Sequence, residues 1–412
     1  MQEATQVSPA RTTAAAPATA PPVRPGRVMA LDAYRGFVML LMMGEVLEFG
    51  RVAEAKAGNP FWQFLAHNQS HVSWVGCSLH DLIQPSFSFL VGVALPISLA
   101  NRLARGQSRW QMSLHAFWRA LVLILLGVFL RSIGAPQTYW TFEDTLTQIG
   151  LGYGFLFLLA QTPVRVQWLT FGLILAGYWL AFALYPLPGA GFDPTAVGVP
   201  ADWPNWLHGF AAHWNKNCNF AWAADTHIMN WFPREKPFLF NDGGYSTLSF
   251  IPTLATMLLG VTVGGMLRSD RTPWGKVQWL VIGGVIGLAA GWLLGQAGIC
   301  PVVKRIWTPS WVLFSGGWCL LLTALFYSVM EIGQRKSWAF PLVVIGMNSI
   351  AAYCLDHLAG DFISGSLTTN FGERVFQVCG PAYYSLLHGG AVLLIYWLIL
   401  YWMYRQKIFL RI

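Results

Sequence analysis

The chain alternates between long apolar runs and short polar segments along most of its length. A bilayer crossing takes about 20 predominantly apolar residues, and hydrocarbon offers the backbone no hydrogen-bond partner, so each long run is expected to be a helix. The pattern predicts an all-α protein, a polytopic bundle of about ten transmembrane helices. The predicted spans are residues 30–49, 80–101, 115–133, 145–162, 166–186, 247–267, 275–297, 309–331, 339–358 and 384–404.

The composition agrees with a membrane protein. Of the 412 residues, 55% are hydrophobic and 11% are charged, whereas a soluble domain carries about 25% charged residues. The net charge of +8 is spread over short clusters between spans. This spread argues against a nucleic-acid-binding surface and favours the positive-inside bias of membrane proteins.

The distribution of Lys and Arg predicts the orientation. With the N-terminus inside, 16 of the 26 Lys and Arg residues fall in inside segments and nine fall outside, and Arg35 lies within the first span. Both termini are then cytoplasmic, and the segment 187–246 is a long external loop that we interpret as a lid. Residues 1–26 are rich in Ala and Pro and lack the apolar core of a signal peptide, so we expect a disordered tail before the membrane domain 27–412.

Ionisable side chains gather just before the second span, in the stretch HNQSHVSWVGCSLHDLIQP. His71 can exchange a proton near neutral pH or accept an acyl group. The plainer interpretation is an interfacial ring that hydrogen-bonds a loop carbonyl. Asp81 is suited to cap the helix and, compatibly with that, to orient His71 or to bind a cationic amine. His67, His71, His80 and Asp81 also form a weaker candidate for a metal site, since no HExxH motif is present.

Further polar residues interrupt the predicted spans. The first span contains Asp32 and Arg35, which share a helix face, and Glu45, an intramembrane acid and hence a functional candidate by default. The ninth span places Asn348 and Asp356 on one helical stripe, for which interhelical hydrogen bonding and an interfacial acid are the plainer interpretations.

Other candidates lie in the loops predicted to be outside. Lys304 and Arg305 precede the eighth span, and Asp242 and Tyr245 precede the sixth. The two cations are suited to an anionic sugar or a phosphate, although solvated loop charges are equally compatible with the sequence. Cys218, Cys300 and Cys379 also fall in outside loops, where a disulfide is an open alternative.

Six segments, in this order, resemble motifs of the heparan-alpha-glucosaminide N-acetyltransferase family and its bacterial relatives. The segments are LDAYRGF, HVSWVG, HDLIQPSFSFLVGVALPISL, IPTLATMLLGVTVGGML, WTPSWVL and GMNSIAAY. The resemblance covers residues 27–405. It implies a multi-span enzyme that takes the acetyl group from cytosolic acetyl-CoA and acetylates an amino sugar on the far side of the membrane.

The resemblance also implies roles for individual residues. His71 opens the motif that holds the active histidine of the family, Asp81 is the acid of the D-L-[IV]-x-P motif, and Asn348 is the Asn of G-M-N-S. The chain departs from the family where the animal enzymes carry an Asn and it has Glu45, as some bacterial relatives do, and where Gln148 replaces a cation.

We therefore expect a bacterial inner-membrane acyltransferase. His71 is its base or acyl acceptor, Asp81 or Glu45 orients that ring, and Asn348 binds the oxyanion. The expected partners are the bilayer, acetyl-CoA as co-substrate and an amino sugar or glycan, with no nucleic acid, no metal, no tightly bound cofactor and a homodimer left open. An exporter of envelope sugars and a metal hydrolase are the alternatives. We expect donor contacts from Arg35, Arg102 and Gln148, and acceptor contacts from Asp242, Tyr245, Lys304, Asp356 and His357.

Overall fold

The computed structural model describes residues 28–410, so the predicted tail 1–26 lies outside the described residues. Within residues 28–410 there is no strand, and an isolated bridge between Val75 and Val303 is the only β pairing. The all-α prediction is therefore confirmed. The α-helices are α1 (Met29–Met43), α2 (Phe49–Ala55), α3 (Pro60–Gln69), α4 (Ile83–Leu103), α5 (Arg109–Arg131), α6 (Thr145–Leu159), α7 (Val164–Leu184), α8 (Phe220–Ile228), α9 (Phe250–Leu267), α10 (Pro273–Gln296), α11 (Pro309–Tyr327), α12 (Phe340–Met347), α13 (Ser349–Phe371) and α14 (Tyr384–Arg405).

Seven of these helices are long and apolar enough to cross a membrane, counting their adjoining helical turns: α4, α5, α7, α9, α10, α11 and α14. The pair α12 and α13 passes the same test together but bends by 67°, which gives up to eight spans in the described residues. The chain is thus a multi-pass membrane protein. Ten spans are not reached, because α1 and α6 have 15 residues each, fewer than the ~20 that a straight crossing needs.

The helices pack closely where glycines face a neighbouring backbone. A Cβ at Gly92 of α4 would lie 1.9 Å from the carbonyl oxygen of Met257 in α9, and one at Gly36 of α1 would lie 1.7 Å from that of Leu342 in α12. Small residues allow such close approach of helices in membranes. These contacts hold α4 against α9 and α1 against α12.

The segment 187–246 is packed onto the same end of the bundle. Trp214 is fully buried and stacks on Phe182 of α7, and its carbonyl oxygen accepts a 3.0 Å hydrogen bond from the indole of Trp74. Arg305 donates a 2.6 Å hydrogen bond to the carbonyl of Gly243. The long segment therefore buttresses the loop that follows His71.

Candidate active site

A buried carboxylate organises the site. Asp81 is 1% exposed and lies in a short helical turn directly before α4. Its Oδ2 accepts hydrogen bonds from the backbone of Val72 at 3.2 Å and from the backbone and hydroxyl of Ser78 at 3.0 Å each. Its Oδ1 lies 2.8 Å from Nδ1 of His71 and 3.2 Å from Nζ of Lys304. The charge of Asp81 is thus fully compensated inside the protein, as a buried carboxylate requires.

These contacts fix the tautomer of His71. Its Nδ1 lies 2.8 Å from a carboxylate oxygen of Asp81 and 3.1 Å from the ammonium of Lys304. A carboxylate at that distance requires a proton on Nδ1, because two lone pairs would otherwise face each other. Lys304 then donates to Asp81 rather than to the ring. The Nε2 atom of His71 therefore carries a lone pair, which is what a base or a nucleophile needs.

Contacts between two loops bring Lys304 next to Asp81 and His71. The backbone of Val75 pairs with that of Val303, and the amide of Gly76 donates to the carbonyl of Val302 at 3.0 Å. This pairing joins the loop after His71 to the loop before α11, so Lys304, only 5% exposed, reaches Asp81. Burial lowers the pKa of Lys304 from its ordinary value, and the neighbouring Asp81 opposes that shift.

Burial and the neighbouring charges also shift the pKa of His71. Burial of the ring lowers the pKa of His71 from its ordinary value of 6.5; the Asp81 contact acts in the opposite direction, and the Lys304 ammonium adds to the lowering. The side chain nevertheless remains 38% exposed. A neutral, solvent-accessible imidazole at neutral pH follows from this arrangement.

A second histidine and carboxylate pair faces the first. Nε2 of His80 lies 2.7 Å from Oε1 of Glu45, and the rings of His71 and His80 are 4.6 Å apart between centroids. Glu45 and both rings line a cavity of about 310 Å³ together with Gln69. Gln69 holds the turn that carries Glu45, because its amide donates to the carbonyl of Gly44 at 2.6 Å and accepts from the backbone of Phe49 at 2.7 Å.

Sequence reasoning missed two of these residues. It considered His80 only as a metal ligand, and it did not consider Gln69 at all. The position of His80 could have indicated a functional role, because His80 directly precedes Asp81 at the start of the predicted second span. Of the two acids expected to orient His71, Asp81 contacts its ring, whereas Glu45 pairs with His80 across the same cavity.

Most of the predicted acceptor residues lie apart from this cavity. Asp242 is exposed, and the ring of Tyr245 lies 5.1 Å under the guanidinium of Arg305. His357 stacks on Tyr353, with its ring near Asp356 at 3.8 Å. None of these side chains lines the cavity around His71 in the described structure. Lys304, also predicted to meet the acceptor, is part of the buried group instead.

The structure distributes the remaining predicted residues over the bundle. Asn348 sits at the bend between α12 and α13, where its amide donates to the carbonyl of Ile408 and accepts from the backbone of Leu410 at 2.9 and 3.2 Å. Gln148 is 1% exposed and donates to backbone carbonyls, including that of Phe142. The oxyanion role predicted for Asn348 and the donor role predicted for Gln148 gain no support, because these amides bind backbone.

The two predicted donor-binding arginines lie in different helices. Arg35 pairs with Asp32 in α1 at 3.6 Å, and Arg102 in the last turn of α4 donates to Gln107 at 3.3 Å. At the end of α9 far from His71, a cavity of about 400 Å³ is lined by residues that include Arg271.

The described residues also bear on the metal and disulfide alternatives. Within residues 28–410, no group of three or more His, Cys, Asp or Glu side chains is placed to hold a metal ion. His67 is exposed on α3 and takes no part in the His71 group. All six cysteines belong to the described part of the chain and all are free, including Cys218, Cys300 and Cys379.

Comparison with known proteins agrees with the geometry. The chain is 25% identical to the human (Homo sapiens) protein named heparan-alpha-glucosaminide N-acetyltransferase, over 94% of this chain and 60% of that protein. The resemblance predicted from the motifs is confirmed. The mouse (Mus musculus) protein of the same name is 24% identical over 79% of this chain and 53% of its own length.

The alignments cover most of this chain but only part of each relative. The chain spans only about half to three fifths of the length of the curated relatives it matches. No family model matches the chain. The similarity supports a membrane enzyme like an N-acetyltransferase, while the substrates of this chain are a separate question.

Proposed function

We propose that the protein is a bacterial inner-membrane acyltransferase that moves an acetyl or related acyl group from cytosolic acetyl-CoA to an amino sugar or related glycan at the periplasmic face. One observation carries the proposal. The Nδ1 atom of His71 is held by the buried carboxylate of Asp81, and the ring lines a cavity of about 310 Å³. The similarity to proteins named N-acetyltransferases supports the same reaction class.

The first step depends on which role His71 takes. As an acyl acceptor, its Nε2 attacks the thioester carbonyl, the carbon–sulfur bond breaks, and CoA leaves as the thiolate. As a general base, Nε2 instead takes a proton from the acceptor amine while the nitrogen attacks the thioester, and the thiolate later receives that proton. Both routes place positive charge on the ring, which Asp81 stabilises. The ammonium of Lys304 keeps Asp81 ionised at 3.2 Å.

Donor access follows from the proposed orientation. Acetyl-CoA is made in the cytosol, and the proposal keeps the orientation expected from the Lys and Arg distribution, in which α1 also crosses the membrane and the His71 end of the bundle lies outside. Arg35 and Arg102 keep their proposed role as phosphate partners, and Arg271 joins them because it lines the cavity at the opposite end from His71. Arginine suits this role because its planar fork matches phosphate oxygens.

The test uses the purified full-length protein in proteoliposomes. Labelled acetyl-CoA is supplied on one side and a panel of amino sugars on the other, and acylated product is measured by mass spectrometry. The His71→Ala variant should lose turnover while keeping its elution profile and melting temperature. The matched control is His67→Ala, because His67 is an exposed histidine four residues away and should leave turnover intact.

Full turnover in His71→Ala would remove the mechanism. Appearance of unmodified sugar in the lumen, without acylated product, would instead favour the exporter. A labelled, acid-labile acyl group on the wild-type protein in the absence of acceptor would select the acyl-histidine route over the direct one.

A further inference from the structure

The two pairs of a histidine and a carboxylate expose opposite partners to the solvent. In the first pair the carboxylate is hidden, since Asp81 has 1% of its side chain exposed, and the ring of His71 is 38% exposed. In the second pair the ring is hidden, since His80 has 6% of its side chain exposed, and the carboxylate of Glu45 is 59% exposed. The first pair thus presents a nitrogen lone pair to the cavity, and the second presents a negative charge.

Amide formation at neutral pH needs two proton acceptors. An aliphatic acceptor amine arrives as an ammonium ion, which has no lone pair and must lose one proton before its nitrogen can attack. The nitrogen must lose a second proton once it is bonded to the acyl carbon. A single imidazole that is occupied by the acyl group, or by one of these protons, cannot perform both removals at once.

We propose, on the basis of the acyltransferase function above, that Glu45 and His80 form a second acid–base pair that binds the acceptor as an ammonium ion and removes its first proton. The carboxylate of Glu45 receives the ammonium hydrogen bond, and its exposure lets the proton pass on to water. His80 donates from Nε2 to Glu45 and fixes the orientation of the carboxylate at 2.7 Å. His80 is therefore the positioning residue, and Glu45 is the residue that touches substrate.

The free amine then forms the amide. The lone pair of the free amine forms the carbon–nitrogen bond, and the bond from the acyl carbon to its leaving group breaks with its electron pair. The leaving group is the CoA sulfur in the direct route and Nε2 of His71 in the acyl-histidine route. In both routes His71 takes the second proton from nitrogen. The net products are the amide, CoA in its thiol form and one proton released through Glu45.

Other charged groups surround Glu45 and will shape its pH dependence. His80 touches it, His71 and Lys304 act on it electrostatically, and Asp356 of α13 is the neighbouring acid. Each of these residues belongs to a different loop or helix from the turn that carries Glu45. A pH profile must therefore be compared between variants at this one position, with the other groups left unchanged.

The test compares two acceptors in the Glu45→Gln variant. One acceptor is an alkyl amine that is protonated at pH 7, and the other is an aryl amine that is already neutral. General-base removal of a proton contributes about 10²–10⁴-fold, so kcat/KM for the alkyl amine should fall by at least about 10²-fold. That loss should diminish as the pH is raised toward the pKa of the amine, while kcat/KM for the aryl amine should change by less than about tenfold.

The controls separate this proposal from folding and from the function itself. Glu48→Gln changes an acid three residues away that pairs with Arg51 at 3.1 Å, and it should behave as wild type with both amines. His80→Gln, which still donates to Glu45, should retain more alkyl-amine activity than His80→Leu. Equal losses for both amines, with an unchanged pH profile, would overturn the second pair. If wild-type protein acylates neither amine, the acyltransferase function fails instead.

Discussion

Replacement of Asp81 by Asn separates the electrostatic and catalytic roles of the buried group. The substitution keeps the size of the side chain and removes its charge. The new amide can donate to Nδ1 of His71, which moves the ring proton to Nε2 and removes the lone pair that faces the cavity. The same change leaves the buried ammonium of Lys304 without its counter-ion.

The expected magnitudes follow from the geometry. At the 3.2 Å separation of Lys304 and Asp81, an effective dielectric constant of about 20 gives an attraction of about 5 kcal/mol. Removing one partner of such a buried pair typically costs about 3–5 kcal/mol of stability. Loss of the correct tautomer in a serine protease triad lowers kcat by about 10⁴-fold, and we expect about 10³–10⁴-fold here.

The assay measures melting temperature in detergent and kcat for acyl transfer, each for Asp81→Asn, Lys304→Met and the double variant. The double variant removes the unpaired charge, so its melting temperature should recover most of the loss seen in Asp81→Asn. Its kcat should stay low, because the tautomer of His71 is still wrong. A kcat within tenfold of wild type in Asp81→Asn would refute the tautomer argument, and additive stability losses would refute the ion pair.

Three further predictions concern pH and packing. The rate with a neutral amine should rise with pH through a midpoint below 6.5, because burial lowers the pKa of His71 and the neutral ring is the active form; a midpoint above 6.5 would contradict this. Burial raises the pKa of Asp225 from 3.8 to about 7. Its protonated form therefore stabilises the fold at low pH, and this stabilisation is lost as the pH rises from about 4 to about 7. Asp225→Asn should raise the melting temperature more at pH 8 than at pH 4. A Cβ at Gly389 would lie 1.8 Å from the carbonyl of Val46, whereas one at Gly390 meets open space; Gly389→Ala should therefore cost about 1–3 kcal/mol and lower turnover, with Gly390→Ala near wild type in thermal unfolding and activity.

Hydrophobic patterning predicted the seven long spanning helices, but it misjudged the end of the first span and treated residues 339–358 as one span, where the chain bends by 67° between α12 and α13. The apolar run of span one continues to residue 49, yet α1 ends at Met43 and the chain turns at Glu48, whose φ is 46°. The cause is a tertiary contact, because Gln69 of α3 binds the backbone on both sides of that turn. No local pattern within the first span contains this information.

In the candidate site too, contacts between residues close in sequence could be predicted, whereas contacts between distant segments could not. His71 and Asp81 lie ten residues apart, in two motifs of one short stretch, so the sequence could propose the pair. Lys304 lies 233 residues from His71 and reaches it through the pairing of two loops. Glu45 and His80 come from different segments and meet only because α1 ends early. The sequence therefore indicated which residue types carry chemistry, and the structure was needed to pair them.

The charge of the assembled group bears on what kind of acceptor it can receive. Among the side chains in direct contact, two carboxylates, those of Asp81 and Glu45, face one ammonium, that of Lys304, which leaves an excess of one negative charge among these three. An acceptor ammonium would neutralise it, whereas an alcohol would leave it unchanged and an anionic sugar would increase it. Because an uncompensated charge in a partly buried cavity is costly, the geometry favours amines over hydroxyls. Competition between an amino sugar and its hydroxyl counterpart should therefore give the amide in large excess, and a preference for the ester would mean that Glu45 faces a different part of the substrate.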